Sequence, residues 1–334
     1  MRIHWILVAA LIGVGCATGP NGPETPEDAA PAALPTGPQP RVSFSADQAR
    51  LGQVMRRIGE ESGGNVVLMH GMEDTAVAGV NLNRAELRQA VSQVAEKADA
   101  AVQEAPLYYF VFAPGFEVLT NVSLRGELDP VYNDISAQFV FGYDTPLFMV
   151  FAWISQALDI TVVGDNEVAE ARSGELALGE VPIATGLEAL LKSSRSVNFH
   201  VDSTPEYIFI YSGRQGHRRS MLLNEGDLDE RQREILDRRV DVHLPEPPES
   251  PNAIKVLPGA QPLSEMLDSL SRQLGVLVVA EPGLESIPVN PAVFRNVRVS
   301  TALDLLIRQW LMPAYGYQIT YDRIVIRQRR PGEM

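Results

Sequence analysis

Three stretches of the chain carry the same spacing of apolar positions, and each runs into a Val-Val pair. The first is LGQVMRRIGEESGGNVV from Leu51, the second LFMVFAWISQALDITVV from Leu147, the third LSEMLDSLSRQLGVLVV from Leu263. They align without gaps: Leu51, Leu147 and Leu263 coincide, as do Val54, Val150 and Met266, and Ile58, Ile154 and Leu270. Apolar residues at i, i+3, i+4 and i+7 make one face of an amphipathic helix, and the Val-Val pair predicts a strand after it. The offsets between copies are 96 residues (147 − 51) and 116 residues (263 − 147).

A second helical pattern keeps both offsets. It begins at Leu87, Ile183 and Val299, continues through Ala90-Val91, Gly186-Leu187 and Ala302-Leu303, and reaches Val94, Leu190 and Leu306. Strand-like alternation opens each stretch (VSFSA near Val42, AQFVFGY near Ala137, AIKVL near Ala253) and closes it (YYFVF from Tyr108, YIFIY from Tyr207, RIVIR from Arg323). The expected fold class is α+β: three tandem small β-α-β-β-α-β units, at 41–114, 134–213 and 253–330. A unit of this size buries only a small core alone, so neighbouring units are expected to pack together or against a partner.

The pattern resembles the secretin and TonB short N-terminal domain. The third stretch carries the resemblance most fully, through PLSEMLDSLSRQLGVLVV and then VRVSTALDLLI; the second does so through VPIATGLEALL. The first departs at Ser62-Gly63-Gly64, where the others end the helix on Leu158 or Leu274. The resemblance implies a small domain that binds other proteins and carries no catalysis. In that family the domain forms the periplasmic entrance of secretin rings or the signalling appendage of TonB-dependent receptors. The third pattern closes close to Met334, so the expectation is an array of adaptor domains without a barrel. The resemblance also makes self-association possible.

The amino terminus gives an expected address. Arg2 precedes the apolar run Trp5 to Val14, a signal-peptide pattern too short to span a membrane. Residues 1–15 are therefore expected to be a signal peptide. Leu11-Ile12-Gly13-Val14-Gly15-Cys16 resembles a bacterial lipobox, with Gly13 where that pattern prefers leucine. It implies lipidation of Cys16, the only cysteine in the chain; the rival reading is ordinary secretion. Ala17, rather than Asp, points by the lipoprotein sorting pattern to the outer membrane, with the folded part facing the periplasm. Residues 16–40 form a Pro-rich tether without large apolar residues, able to reach about 70 Å when extended.

Charge and chemistry then narrow the function. The net charge of −14 disfavours nucleic acid, which is bound through clustered Lys and Arg. The five histidines are scattered and no second cysteine exists, so no metal site or other cofactor is expected. No nucleophile elbow, phosphate loop or His-Glu-X-X-His motif occurs, and the chain reads as a non-enzyme. MHGMED, Met69 to Asp74, offers a Met/His pair beside carboxylates, but reads as a turn after the Val-Val strand. Glu60-Glu61 and Glu73-Asp74 read as solvated.

Residues 214–252 read as a charged helix and Pro-rich linker. Asp227 is the expected cap of a solvated connecting helix ending at Arg238 and Arg239. GRQG followed by His217-Arg218-Arg219 matches a KH-type loop in spacing only. Arg214, His217, Arg218 and Arg219 are a candidate interaction patch, for an acidic protein or lipid headgroups. Phe139, Phe141, Phe148, Phe151 and Trp153 read as core, and the uncharged helix LFMVFAWISQAL as one covered on more than one side. The expected function is a lipid-anchored, protein-binding adaptor of an envelope machine: type II secretion, a type IV pilus, another secretin, or TonB-linked signalling. The alternative is capture of a small or polymeric envelope ligand such as peptidoglycan.

Overall fold

The computed structural model describes residues 41–196, 199–213, 220–246, 259–310, 314–321 and 323–330. It is α+β, with helices packed on several small sheets. The first stretch contains β1 (Val42–Arg50), α1 (Leu51–Ser62), β2 (Val66–Leu68), β3 (Ala76–Ala85), α2 (Leu87–Lys97), β4 (Ala101–Glu104) and β5 (Tyr109–Phe112). The second contains β6 (Ser136–Phe141), α3 (Leu147–Leu158), β7 (Val162–Gly164), α4 (Asn166–Glu170), β8 (Leu176–Pro182), α5 (Ile183–Ser193), β9 (Phe199–Thr204) and β10 (Tyr207–Ser212). The third contains α6 (Glu230–Asp237), β11 (Arg239–Leu244), β12 (Gln261–Pro262), α7 (Leu263–Leu274), β13 (Leu277–Ala280), β14 (Pro288–Val289), β15 (Ala292–Arg298), α8 (Val299–Arg308), β16 (Tyr315–Ile319) and β17 (Arg323–Gln328).

The same pairing recurs in each stretch. The opening strand pairs antiparallel with the strand before the second helix: β1 with β3, β6 with β8, β11 with β15. Each of these ladders slips register once, at an irregularity of the kind that bends a strand. The Val-Val strand pairs in parallel with the closing strand: β2 with β5, β7 with β10, β13 with β17. The closing strand also pairs antiparallel with the strand before it, β4, β9 or β16.

Local chemistry explains the recurring helix ends. α1, α3 and α7 begin without a side-chain cap. Instead Leu51, Leu147 and Leu263 donate their N–H groups to the carbonyls of Thr75, Ala171 and Ile287, at 2.8, 2.9 and 2.8 Å. Backbone from the following loop thus satisfies donors that a helix start leaves free. All three helices end on a left-handed residue: Gly63 at φ 59°, Asp159 at φ 55° and Gly275 at φ 64°. Glycine takes that conformation without a Cβ clash, and aspartate is among the few other residues that tolerate it.

The chain divides into two compact units. One comprises residues 1–123, 134–143 and 173–195. Its described part holds α1, α2 and α5, the β1–β3 ladder and a five-stranded sheet in the order β4-β5-β2-β8-β6. The other comprises residues 124–133, 144–172 and 196–334. It holds α3, α4 and the third stretch, with the sheets β7-β10-β9 and β13-β17-β16. The predicted span 134–213 is therefore shared between the units. In the second unit one apolar core joins Val163, Tyr207 and Phe209 to Leu267, Phe294, Leu303 and Ile324.

Several sequence expectations change in detail. The strand expected near Ala253 lies outside the described residues, and β11 takes the opening role in the third stretch. The charged helix is capped by Asp229, not Asp227: Asp229 accepts from the Gln232 N–H at 2.8 Å, and the Gln232 side chain accepts from the Asp229 N–H. Arg238 lies past that helix and Arg239 begins β11. Nor is α6 a free connector, since it packs on α8 and buries Leu236. Phe139, Phe141, Phe148 and Phe151 are buried, and Trp153 is half-buried. The uncharged α3 packs against β7, α4 and β15.

Candidate interaction surfaces

Cys16 and the patch of Arg214, His217, Arg218 and Arg219 lie outside the described residues. MHGMED is the turn after β2, as expected, but Glu73 in it is not solvated. Met69 and Glu73 are buried, while Asp74 is exposed and pairs with Arg50 at 2.7 Å. Burial pushes the Glu73 carboxyl up in pKa, opposed by the Gly71 N–H that it accepts at 2.8 Å. His70 Nδ1 stands 3.9 Å from Glu73 Oε1, too far for a hydrogen bond. Glu73 is held against the first turn of α1, where the Gly52 N–H donates to the Glu73 carbonyl at 3.0 Å. Among the described residues no group of three or more His, Cys, Asp or Glu side chains is placed to hold a metal ion. No helix among them is long and apolar enough to cross a membrane.

What the structure does bring together is a pair of matching junctions. In the first compact unit, β2 pairs antiparallel with β8, Val66 opposite Ala177 and Val67 opposite Leu176. Asn65, just before β2, accepts from the Gly179 N–H at 2.7 Å. His70, just past β2, donates its N–H to the Ser193 carbonyl at the end of α5, at 2.7 Å. In the second unit the corresponding residues repeat both contacts. Thr161 Oγ1, just before β7, accepts from the Arg295 N–H at 2.8 Å. The Asn166 N–H donates to the Gln309 carbonyl, past α8, at 2.8 Å.

A buried cation marks the same place in each junction. Lys192 of α5 is 2% exposed; its Nζ lies 5.4 Å from the Tyr108 ring centroid and bonds Gln103 and Glu188. Arg308 of α8 sits 4.2 Å from the Phe209 centroid and 5.7 Å from that of Tyr207, and pairs with Asp202 at 2.7 Å. A charge leaves water only when it gains such partners. Tyr108 donates to Glu188 at 2.7 Å, and burial with that carboxylate pushes its phenol far above the usual range. Arg56 of α1 adds a bidentate pair with Glu175, both bonds at 2.7 Å, across the β2–β8 seam.

These residues cannot be found from motif scans. Lys192 and Arg308 share the register of the two helix patterns, 116 residues apart (308 − 192), but Glu96 holds the matching position in α2. A small cavity near the second junction is lined by Phe151, Gly164, Asn290 and Gln309. The Gln309 amide has no hydrogen-bond partner among the described residues. The geometry is that of a strand's flanking residues meeting the strand and helix end of the following stretch, within each unit. In comparisons with known proteins, no family model, no curated protein and no solved structure matches this chain.

Proposed function

We propose that this chain is a lipid-anchored, periplasm-facing adaptor of three tandem units, held at the outer membrane through Cys16, that binds protein components of an envelope machine. The reading is non-enzymatic. The units are taken as copies of one fold similar to the secretin and TonB short N-terminal domain. The partner class is a component of a secretin, type II secretion, type IV pilus or TonB-linked system.

The observation that supports this most is the threefold recurrence of one pairing scheme, with the junction hydrogen bonds of Asn65 and His70 repeated by Thr161 and Asn166. Arrays of this kind expose long surfaces and associate through them.

Crosslinking in cells, with a C-terminal tag and mass spectrometry of the captured material, tests the proposal. Recovery of a secretin, pilus or TonB-system component supports it. Recovery of the chain alone, at monomer mass, sinks it and moves the weight to ligand capture.

A further inference from the structure

Each junction has two faces. The rear face is the Val-Val strand edge with the residues flanking it. The front face is the third strand and second helix of the following stretch. β2 and β7 supply rear faces; β8 with α5, and β15 with α8, supply front faces. Two faces remain without a counterpart among the described residues: the rear face at β13 and the front face at β3 and α2.

The rear face at β13 lacks the junction groups. Where Asn65 and Thr161 stand, the third stretch has Leu277, which is 51% exposed. Where His70 and Asn166 donate an N–H, it has Pro282, which has none. The register is set by matching backbone bonds: Val66, Val162 and Val278 lie opposite Tyr109, Ile208 and Ile324, and Met69, Asp165 and Glu281 donate to the carbonyls of Val111, Ile210 and Ile326. The Val278 N–H is taken by Ser271 Oγ at 2.8 Å, as the Val162 N–H is by Ser155 Oγ at 2.9 Å in the second junction, so the difference between the two edges lies at Leu277 and Pro282. Proline at this position cannot repeat the bond that the His70 and Asn166 N–H groups make.

The front face at β3 and α2 keeps the groups that a junction needs, because those groups are backbone. The residues in register with Gly179 and Ser193 are Asn83 and Lys97. Asn81, Asn83, Glu96 and Lys97 are all exposed, and β3 pairs only with β1 among the described residues. Side-chain charge changes sign at the buried-cation position. Glu96 stands where Lys192 and Arg308 are buried.

We infer that the array is open at its first stretch and closed at its third. The front face of β3 and α2 binds a strand edge of a different chain, one with Asn or Thr just before the strand, a residue other than proline five positions on, and a cation facing Glu96. A second copy is excluded as the occupant. Its Arg323 stands in the register of Tyr108 and Tyr207 and would supply the cation facing Glu96, but that pair alone does not make a junction. It does not replace the two hydrogen bonds lost at Leu277 and Pro282. The inference rests on the adaptor reading for the existence of a partner; the test below needs none.

The test uses the full chain, purified in detergent and followed by sedimentation. The natural protein is expected to stay monomeric. Leu277→Thr with Pro282→Asn restores the missing groups, and this variant is expected to associate head to tail at concentrations at least tenfold lower. Adding Asn83→Pro, which removes the outward N–H of the front face, or Asn81→Arg, which leaves the backbone intact, should return it to monomer. Each variant's thermal midpoint confirms that it folds. The inference is overturned if the natural chain associates as readily as the double variant, if the double variant stays monomeric, or if both blocking changes leave association intact. Success here with failure of in-cell crosslinking would count against the adaptor reading and leave the open front face standing.

Discussion

Arg308 and Asp202 form an ion pair of 2.7 Å with side chains only 1% and 11% exposed. The guanidinium also lies over Phe209, and its Nη1 donates to Tyr207 Oη at 3.2 Å. Removing one partner of a buried pair leaves an uncompensated charge, which costs about 3–5 kcal/mol. Arg308→Ala is expected to lower stability by an amount in that range, read from urea unfolding. Arg308→Lys should recover part of it, since a point charge pairs but lacks the planar fork. A loss below about 1 kcal/mol, the scale of an exposed pair, would mean that water reaches the site.

Asp304 makes stability depend on pH. Burial raises its carboxyl from 3.8 to about 7, opposed by the Met221 N–H that it accepts at 2.8 Å and by Arg308 and Arg298. Tyr317 also faces it, and Glu225 faces Tyr317. The folded state therefore holds a proton more tightly than the unfolded chain. The contribution is fully present below about pH 4 and is lost as pH rises through about 7. A shift of about three units corresponds to roughly 4 kcal/mol, and only a fraction is expected because Asp304 keeps some accessible surface. Asp304→Asn should flatten this part of the pH profile and stabilise the protein at pH 8. Unchanged melting profiles between pH 4 and 8 would refute the assignment.

Gly174 is a position where backbone meets backbone. A Cβ there would lie 1.9 Å from the Leu68 carbonyl oxygen and 2.7 Å from the His70 nitrogen. Neither atom can rotate away, because both belong to the main chain around β2. Gly174→Ala is expected to cost about 2–4 kcal/mol, at the upper end of single-substitution effects, and to raise amide exchange at Leu68 and His70 together. Normal protection of both amides would show that the segment relaxes around the methyl group.

Cys16 carries the proposed anchor. Cys16→Ser is expected to release the protein from the membrane fraction and to abolish labelling by a fatty-acid probe. A protein that fractionates with membranes equally well after the substitution would remove the lipid anchor from the proposal.

Much of the architecture could be read along the chain. Helices α1, α3 and α7 start at the leucines that open the three aligned patterns, because a 3.6-residue apolar stripe has one way to face a core. The Val-Val strands and the closing strands follow for the same reason, with period two. The helix cap was misplaced by two residues, since Asp227 and Asp229 offer the same side chain and only backbone position selects between them. Glu73 was read as solvated because a carboxylate in a turn usually is; contact with the start of α1 buries it.

Sequence by itself determined the paired helices of each stretch, the Val-Val strands, the closing strands and their order, since these depend on short-range sterics and on which face is apolar. Tertiary structure alone decided which edges meet. The division of residues 134–213 between two compact units, the pairing of β2 with β8 and the burial of Lys192 and Arg308 all depend on groups far apart in the chain. Hydrogen bonds such as that of Asn65 with Gly179 use backbone donors that every residue but proline carries. For that reason the sequence marks them only at the acceptor side chains of Asn65 and Thr161, and where Leu277 and Pro282 take acceptor and donor away.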